Sequence, residues 1–353
     1  MNAVSYALMD GENISARESA VIDELLVIMR LIQEEKERRT RPVPRTIHPK
    51  QHGCLRGELL VERELPDAFQ QGIFRPSQSY KALVRFSNAK QRDDRLPDGH
   101  GMGIKLVGVG GERLPGEQPE AQTQDFVLVD HPVFFAKDAA DLVPLIHDFR
   151  RLMIGGVTGK IRTVFKAMFS RDPRFRLLRK MGAKRPDSPL EIQYWSTTPM
   201  KFGDGAAKIS LLPQLNEPPI RAANSPDKLR LAMAAKLAVG EARFDFLVQL
   251  RTNPMTMPLE DATAIWDEAE SPYRKVATLR IPRQTFDSPE QNTFGENLSF
   301  SPWHAVAAHR PLGSINRARR RIYEAMAARR IELNGVTTSE PTLAEVGPLF
   351  FKP

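Results

Sequence analysis

The sequence predicts an α+β fold in which strands form a barrel and helices surround it. Short apolar runs separated by Gly, Pro and Asp turns dominate residues 45–135 and return at 199–286, as expected for strands. Helix-type patterns occupy the beginning, the middle and the end of the chain. The 353 residues are 41% hydrophobic and 27% charged, an ordinary globular balance with ample length for a core around a buried cofactor. No internal repeat is visible, which favours one continuous unit.

An amphipathic helix is predicted over residues 15–39. Its apolar stretch, AVIDELLVIMRLI, is interrupted by Asp23, Glu24 and Arg30, so it is not a membrane span. Two prolines in the segment TRPVPRT end the helix. We therefore predict an N-terminal helical extension, 1–40, followed by one α+β domain, 41–353.

The remaining elements follow in chain order. Strand patterns occur in RGELLVERELP, YKALVRFSNA, GMGIKLVGVGG and QDFVLVDHPVFF, and later in PMKFGDGAAKISLLP, ARFDFLVQLRT and YRKVATLRIPRQTF. Residues 138–182 have a basic, helical pattern, and helices close the chain at 314–333 and near 342–346. The glycine-rich GVGGERLPG does not lead from a strand into a helix, as a dinucleotide-binding loop does, so we predict a hairpin turn there.

Charge and cysteine content limit the functional classes only loosely. A net charge of +8 and a pI near 9.6 would attract nucleic acid, anionic lipid or an acidic ligand without distinguishing them. The single Cys54 precludes an intrachain disulfide, and no secretory signal is visible, so we predict a cytoplasmic protein. The histidine pair in HPKQH has no partner cluster for a metal site, and no GxSxG hydrolase motif is present.

The basic segment SINRARRRIYEAMAARR, 314–330, places one tyrosine among six arginines. In a helix, Arg319, Tyr323 and Arg330 lie on one face. The tyrosine could simply pack, the helix could bind nucleic acid, or the arginines could hold the phenol as an anion. No nucleic-acid-binding module surrounds the helix. A neighbouring cation favours a phenolate, a bound metal completes the deprotonation, and ferric haem is a metal centre that accepts a tyrosinate ligand.

Two further segments carry candidate site residues. His48 lies beside Pro49 at the predicted start of a strand, with Arg45 three residues earlier. Arg85 and Ser87 are two apart on a predicted strand and therefore share a face. An arginine that points inward needs an anion or a carboxylate as its partner. The two propionates of a haem would satisfy such arginines.

In these residues the chain resembles the haem-catalase superfamily, most closely its short catalase-like branch of minimal catalase-related peroxidases and the allene oxide synthase domain of coral. The resemblance covers roughly 45–333 and implies an antiparallel β-barrel core. Its blocks occur in the same order as in the family: RTIHPK, ALVRFSNA with DGHGMGIKL, DFVLVDHPVFFAKD, the late-barrel segment DFLVQLRTNPMTMPLEDATAIWDEAESPYRKVATLRIPR, and RARRRIYEAMAARR.

The resemblance implies a haem b buried between the barrel and the C-terminal helix, and a role for each matching residue. Tyr323 would bind the iron, with Arg319 as its charge partner. His48 would be the distal acid–base residue, oriented by Ser87. The remaining cofactor-binding residues would be Arg45, Arg85 and Arg330, which bind the propionates, and Phe134, which packs near the haem edge.

The sequence departs from the family in the distal pocket. Catalases have an asparagine five residues before the first phenylalanine of the Phe-Phe pair, and this chain has Val129 there, followed by Asp130. Without the amide, the pocket loses a donor that would hold peroxide. Asp130 either substitutes for the amide or forms an ion pair elsewhere. We therefore predict weak catalase activity.

The function predicted is a haem peroxidase or catalase-like oxidoreductase that acts on hydrogen peroxide or organic hydroperoxides and serves in the response to oxidative stress. Its partners would be a small-molecule peroxide and an electron donor, with no nucleic acid and no transmembrane segment; homo-oligomerisation stays open. One alternative is a fatty-acid hydroperoxide-rearranging enzyme, although Ile47 occupies the position where such enzymes have threonine, and Thr46 comes one residue earlier. Another is a haem-binding protein without turnover.

Overall fold

The computed structural model describes residues 7–114, 121–154, 156–215, 220–336 and 339–350. Nine strands lie within these ranges. They are β1 (Lys50–Val61), β2 (Ser79–Asn88), β3 (His100–Val107), β4 (Thr123–Val129), β5 (Tyr194–Trp195), β6 (Met200–Phe202), β7 (Gly205–Pro213), β8 (Ala242–Leu250) and β9 (Arg274–Ile281).

Eight of the nine strands close into an antiparallel barrel. The strands pair in the order β5-β4-β3-β2-β1-β9-β8-β7, and β5 also pairs with β7, which completes the ring. β6 pairs with β7 outside the ring. The closure rests on two residues, since Tyr194 pairs with Leu211 and Trp195 pairs with Ser210. The predicted α+β barrel is confirmed.

Aromatic side chains fill the inside of the barrel. The ring of Phe246 lies 5.0 Å from that of Phe126 and 5.2 Å from that of Phe74, measured between centroids. Phe86 and Phe244 are fully buried nearby. An eight-stranded barrel is just wide enough for side chains to fill, so this interior is a packed core. A cofactor would have to bind outside the barrel wall.

Helices surround the barrel. The described residues contain α1 (Glu18–Arg39), α2 (Ala139–Ile154), α3 (Val157–Phe169), α4 (Pro173–Met181), α5 (Lys228–Val239), α6 (Pro289–Asn297), α7 (Ser314–Asn334) and α8 (Leu343–Phe350). α7 ends at Gly335, whose left-handed backbone with φ of 62° suits glycine at a helix C-terminus. Within the described part of the chain, none of these helices combines the length and the apolarity that crossing a membrane requires.

The N-terminal helix α1 packs against α7. Its apolar face is buried, and Leu25 and Met29 share hydrophobic clusters with Ala318 and Met326 of α7. Polar contacts add to this packing, since the Gln33 side chain donates to the backbone oxygen of Met326 at 3.0 Å. The predicted boundary between an N-terminal helical extension, 1–40, and the domain that follows stays a prediction, and the helix of the extension shares a core with α7.

The glycine-rich segment GVGGERLPG joins β3 to β4, which pair antiparallel. Gly108 and Gly111 have φ of 80° and 123°, the conformations that favour glycine. The connection from Val107 to Thr123 spans 108–122, and residues 115–120 lie outside the described residues, so the predicted hairpin turn stays a prediction.

Candidate active site

A cavity lies between the outer face of the barrel and α7. Its volume is about 140 Å³. Six residues predicted from the sequence line it, from three separate parts of the chain: Arg45, His48, Arg85, Ser87, Tyr323 and Arg330.

His48 is held in an unusual backbone conformation at the cavity wall. Its φ is 58°, in the left-handed region that non-glycine residues rarely adopt. The His48 amide donates to the backbone oxygen of Ala89 at 3.0 Å, and Ser87 Oγ lies 3.0 Å from the imidazole Nδ1. Such strain persists only where the surroundings enforce it, and it occurs often at functional sites.

Gly101 on β3 leaves the space that the His48 imidazole occupies. A Cβ atom at Gly101 would lie 2.5 Å from His48 Cε1, closer than side chains can approach. Gly101 pairs with Ser87 across β2 and β3, so the glycine and the serine together fix the ring. The contact with Ser87 engages Nδ1, and no described residue bonds Nε2, so Nε2 is the nitrogen left to exchange a proton with a substrate.

Burial first, and the nearby Arg85 guanidinium second, lower the pKa of His48 to about 3. The imidazole is therefore neutral at physiological pH and can accept a proton. A neutral histidine in hydrogen-bond reach of a substrate is a general base, and it becomes the acid when it returns that proton.

Arg45, Arg85 and Arg330 form a buried cluster of positive charge. Burial lowers the pKa of all three guanidinium groups, and repulsion from Arg85 and Arg330 lowers that of Arg45 further. The carboxylate of Glu296, 3.6 Å from Arg85, is half-exposed and carries a single negative charge. Three guanidinium groups facing one carboxylate leave a net positive charge that an anionic ligand would neutralise.

The arginine side chains are anchored mainly by neutral groups. Arg330 Nη1 donates to the backbone oxygen of Glu296 at 2.9 Å, and Arg85 Nε donates to Gln51 Oε1 at 3.1 Å. Arg45 donates through Nη2 to the backbone oxygens of Gly295, Glu296 and Leu298, while its buried Nε has no partner among the described residues. Like the net positive charge, this unpaired donor indicates that the site binds a ligand with a hydrogen-bond acceptor.

Tyr323 enters the cavity from α7. Arg319 Nη2 donates to Tyr323 Oη at 3.1 Å, and the Arg319 guanidinium carbon lies 5.1 Å from the centroid of the tyrosine ring. The predicted shared helix face is confirmed. Trp303 Nε1 donates to the backbone oxygen of Asn316 at 2.7 Å and so fastens the first turns of α7 beside the barrel.

Most other arginines of α7 pair with acidic residues within the chain. Arg317 binds Glu12, Glu18 and Glu260, and Arg321 Nη2 lies 2.6 Å from Asp23 Oδ1. These internal partners explain the basic composition of the helix without an external polyanion.

Val129 lies on the cavity side of β4. It pairs with Gly101, and it is two residues from Val127, which lines the cavity. Asp130 turns away: its buried carboxylate lies 2.9 Å from His100 Nδ1 and 3.6 Å from Lys184 Nζ. Of the two alternatives for Asp130, the structure shows the ion pair, while Val129 is not itself among the residues that line the cavity.

Phe134 lies apart from the cavity walls. Its ring stacks on that of Phe135, with centroids 4.2 Å apart, and packs against the cluster shared by α1, α2 and α7. Its role beside a haem stays a prediction.

Several cavity residues were not predicted from the sequence. They are mostly apolar: Met29, Gly103, Phe300, Ile322 and Met326. The alternating glycines Gly101 and Gly103 were the signal that could have been used, because two glycines on one strand face mark a close approach. Gly103 makes room for Phe300, whose Cδ1 lies 3.0 Å from where a Cβ would stand.

No protein-family model matches the sequence, and no curated protein matches it. Solved structures of catalases do match. A fungal catalase aligns over 95% of this chain and 68% of its own, with a TM-score of 0.63 and 17% identity. A bacterial catalase aligns over 93% of this chain and 63% of its own, with a TM-score of 0.61 and 15% identity. Catalase A from Saccharomyces cerevisiae aligns over 94% and 68%, with a TM-score of 0.62 and 15% identity.

The fold is therefore catalase-like: a closed eight-stranded antiparallel barrel with surrounding helices. At 15–17% identity the likeness concerns the fold. The chain spans about two thirds of the length of these catalases.

Proposed function

We propose that this protein is a haem-dependent oxidoreductase that acts on peroxides. One observation carries the proposal: His48, oriented by Ser87, and Tyr323, bonded to Arg319, line the same cavity although 275 positions separate them in the sequence. The catalase-like fold supports it, since the same fold occurs in three catalases.

The cavity residues fit a haem in three respects. Tyr323 offers a phenol oxygen as the iron ligand, and Arg319 donates a hydrogen bond to that oxygen. The cluster of Arg45, Arg85 and Arg330 offers the positive charge that two propionates require. Met29, Phe300, Ile322 and Met326 supply apolar surface for the macrocycle. When bound, ferric haem would supply the redox-active metal at which a peroxide O–O bond is broken.

His48 would manage the protons of this reaction. As a neutral imidazole it takes the proton from the peroxide O–H and returns it to the oxygen that leaves as water or alcohol. Ser87 holds Nδ1, so the ring keeps one orientation through both transfers. Val129 offers no hydrogen bond to a second peroxide, which favours oxidation of an organic electron donor over oxygen release.

Rearrangement of a fatty-acid hydroperoxide is a second candidate. Thr46 lines the cavity beside Ile47, and the buried Thr46 hydroxyl has no hydrogen-bond partner among the described residues. A hydroxyl without a partner can bind an oxygen of a bulky hydroperoxide. Incubation with a lipid hydroperoxide followed by mass spectrometry distinguishes the candidates, because conversion to an allene oxide releases one water and consumes no donor, whereas peroxidase turnover gives the alcohol and consumes a donor.

The cofactor is tested by titrating purified protein with haem and recording the absorption spectrum. We expect one haem per chain and the spectrum of a tyrosinate-ligated ferric iron. The variant Tyr323→Phe should lose the haem or change its spectrum, whereas Tyr80→Phe, a change of the same chemistry away from the cavity, should not. An unchanged spectrum and stoichiometry in Tyr323→Phe would refute the assignment.

A further inference from the structure

Helix α3 presents apolar side chains to solvent. Ile161, Phe165 and Phe169 follow one another at intervals of four residues, so they lie on one face of the helix. Their exposed fractions are 62%, 64% and 63%, and the rings of the two phenylalanines lie 4.4 Å apart. Ile161 and Phe165, together with Arg162, line an open hollow. A contiguous apolar patch of this kind marks an interaction site.

The side chains that the structure describes in α3 do not follow the pattern of an ordinary surface helix. Thr163 is buried, with its hydroxyl donating to the backbone oxygen of Gly159 at 2.9 Å. A helix on a globular core normally buries its apolar stripe and exposes its polar residues. Among the side chains that the structure describes in α3, the aromatic ones face outward and the buried one is polar. Packing within this chain therefore does not account for the apolar stripe.

The surroundings of this stripe are strongly basic. Residues 147–185 contain eight arginines and four lysines against two aspartates, so this segment alone carries more positive charge than the +8 of the whole chain. Both aspartates already have partners, since Asp148 lies 2.9 Å from Arg151 and Asp172 lies 2.6 Å from Arg174. Two of the cations pair with carboxylates outside the segment, Arg174 with Asp141 and Lys184 with Asp130, and the segment still has a net positive charge beside the exposed aromatic rings.

We propose that α3 is a docking site for the surface of an anionic lipid bilayer. Ile161, Phe165 and Phe169 would enter the boundary between headgroups and acyl chains, and Arg162, which lines the same hollow as Ile161 and Phe165, would face lipid phosphates. Aromatic and aliphatic residues on one side and arginine and lysine on the other are the composition of helices that lie in this boundary. A second copy of the same surface would bring two strongly basic segments together, so self-association is unfavourable.

The test is co-flotation of the full chain with vesicles, and it does not depend on the peroxide chemistry proposed above. Vesicles of equal parts phosphatidylcholine and phosphatidylglycerol should bind the protein, pure phosphatidylcholine vesicles should bind it much less, and added salt should weaken the binding. The variant Ile161→Ser/Phe165→Ser/Phe169→Ser should lower partitioning by about tenfold or more. The charge variant Arg162→Glu should lower it as well.

A matched control replaces three exposed apolar residues elsewhere. Val239, Met255 and Ile265 are 72%, 89% and 69% exposed, and their joint replacement by serine should leave vesicle binding unchanged. Circular dichroism and peroxide turnover should be equal in all these variants. The proposal is overturned if the parent fails to bind anionic vesicles, if the two triple variants bind equally, or if light scattering shows a parent dimer that the α3 variant dissociates.

Discussion

His48 has a left-handed backbone conformation that its surroundings maintain. Its amide is bonded to Ala89, its ring to Ser87, and its place is kept free by Gly101. Strain of this kind costs about 1–3 kcal/mol and is retained where it fixes a reactive group. In the proposed function, the Nε2 atom of His48 transfers the protons, and Tyr323 is the second side chain of the cavity with a proposed role.

Replacing His48 by alanine should separate cofactor binding from catalysis. We expect His48→Ala to bind haem as the parent does and to react with hydrogen peroxide about 10²–10⁴-fold more slowly, since general acid–base catalysis is typically worth that factor. Stopped-flow measurement of the peroxide-dependent change in the haem spectrum gives the rate. His147→Ala, at a solvent-accessible site on α2, is the control. Equal rates in His48→Ala and the parent would exclude an acid–base role.

Replacing Val129 by asparagine tests the missing amide. We expect the parent to oxidise a phenolic dye faster than it releases oxygen, because no donor beside Gly101 holds a second peroxide. Val129→Asn should raise oxygen release. Val127→Asn places the same amide on the same strand face but opposite Gly103, farther from Ser87, and should raise it less. An oxygen electrode measures both, and parent oxygen release as fast as dye oxidation would contradict this interpretation.

At the scale of elements, the site depends on how β2, β3 and α7 meet. β2 supplies Arg85 and Ser87 on its outer face, β3 supplies glycines opposite them, and α7 brings Tyr323 and Arg330 to the same cavity. α1 completes the wall through Met29 and buries Leu25 against the cluster that includes Ala318 of α7. The rigidity of the site thus comes from strand register on one side and helix packing on the other.

Gly101 pairs with Ser87 beside the His48 ring, so replacing Gly101 tests whether the site depends on the register of β2 and β3. Gly101→Ala would place a methyl group 2.5 Å from the His48 ring, so the imidazole must move. We expect peroxide reactivity to fall nearly as far as in His48→Ala, with a loss of about 1–3 kcal/mol in the free energy of unfolding from overpacking. Gly110→Ala, where a Cβ meets nothing within 4 Å, should change neither. Full activity in Gly101→Ala would show that the ring does not need this position.

Several histidines across the molecule are buried in the neutral form. Burial is the main cause that lowers the pKa of His48 to about 3 and those of His52 and His309 to about 4. In the unfolded chain a histidine has a pKa of about 6.5. At pH values between the folded-state and unfolded-state pKa, the unfolded chain binds more protons than the folded protein. The free energy of unfolding therefore rises with pH in this window and decreases as pH falls.

Acid should therefore destabilise the protein between pH 6.5 and about 4. We expect each of these histidines to contribute a slope of up to about 1.4 kcal/mol per pH unit in that window, and little change between pH 7 and 8. Urea unfolding at a series of pH values measures this slope. His309→Gln should lower the slope by the contribution of one titrating histidine, whereas the surface variant His147→Gln should leave the slope unchanged. A flat profile from pH 7 to pH 4 would contradict the neutral, buried state.

Local periodicity let the sequence determine much of this protein by itself. Seven strand segments, the helix at 314–333 and the shared faces of Arg319 with Tyr323 and of Arg85 with Ser87 follow from repeats of 3.6 and 2 residues. α5 and α6 were not predicted, although Ser288 caps the first turn of α6 before Pro289 and could have indicated its start. The strand predicted in QDFVLVDHPVFF ends at Val129.

Only the tertiary structure decided what depends on contacts between distant segments. The barrel closes through β5, a strand of two residues, which is too short to show any alternation. The left-handed backbone of His48, the turn of Asp130 toward His100 and the place of Met29 in the cavity wall depend on neighbours far along the chain. The exposure of the apolar residues of α3 is also decided by the tertiary structure, because the apolar spacing of its sequence would equally suit a helix in the core. Periodicity specifies which residues share a face, and packing against other elements decides where that face points.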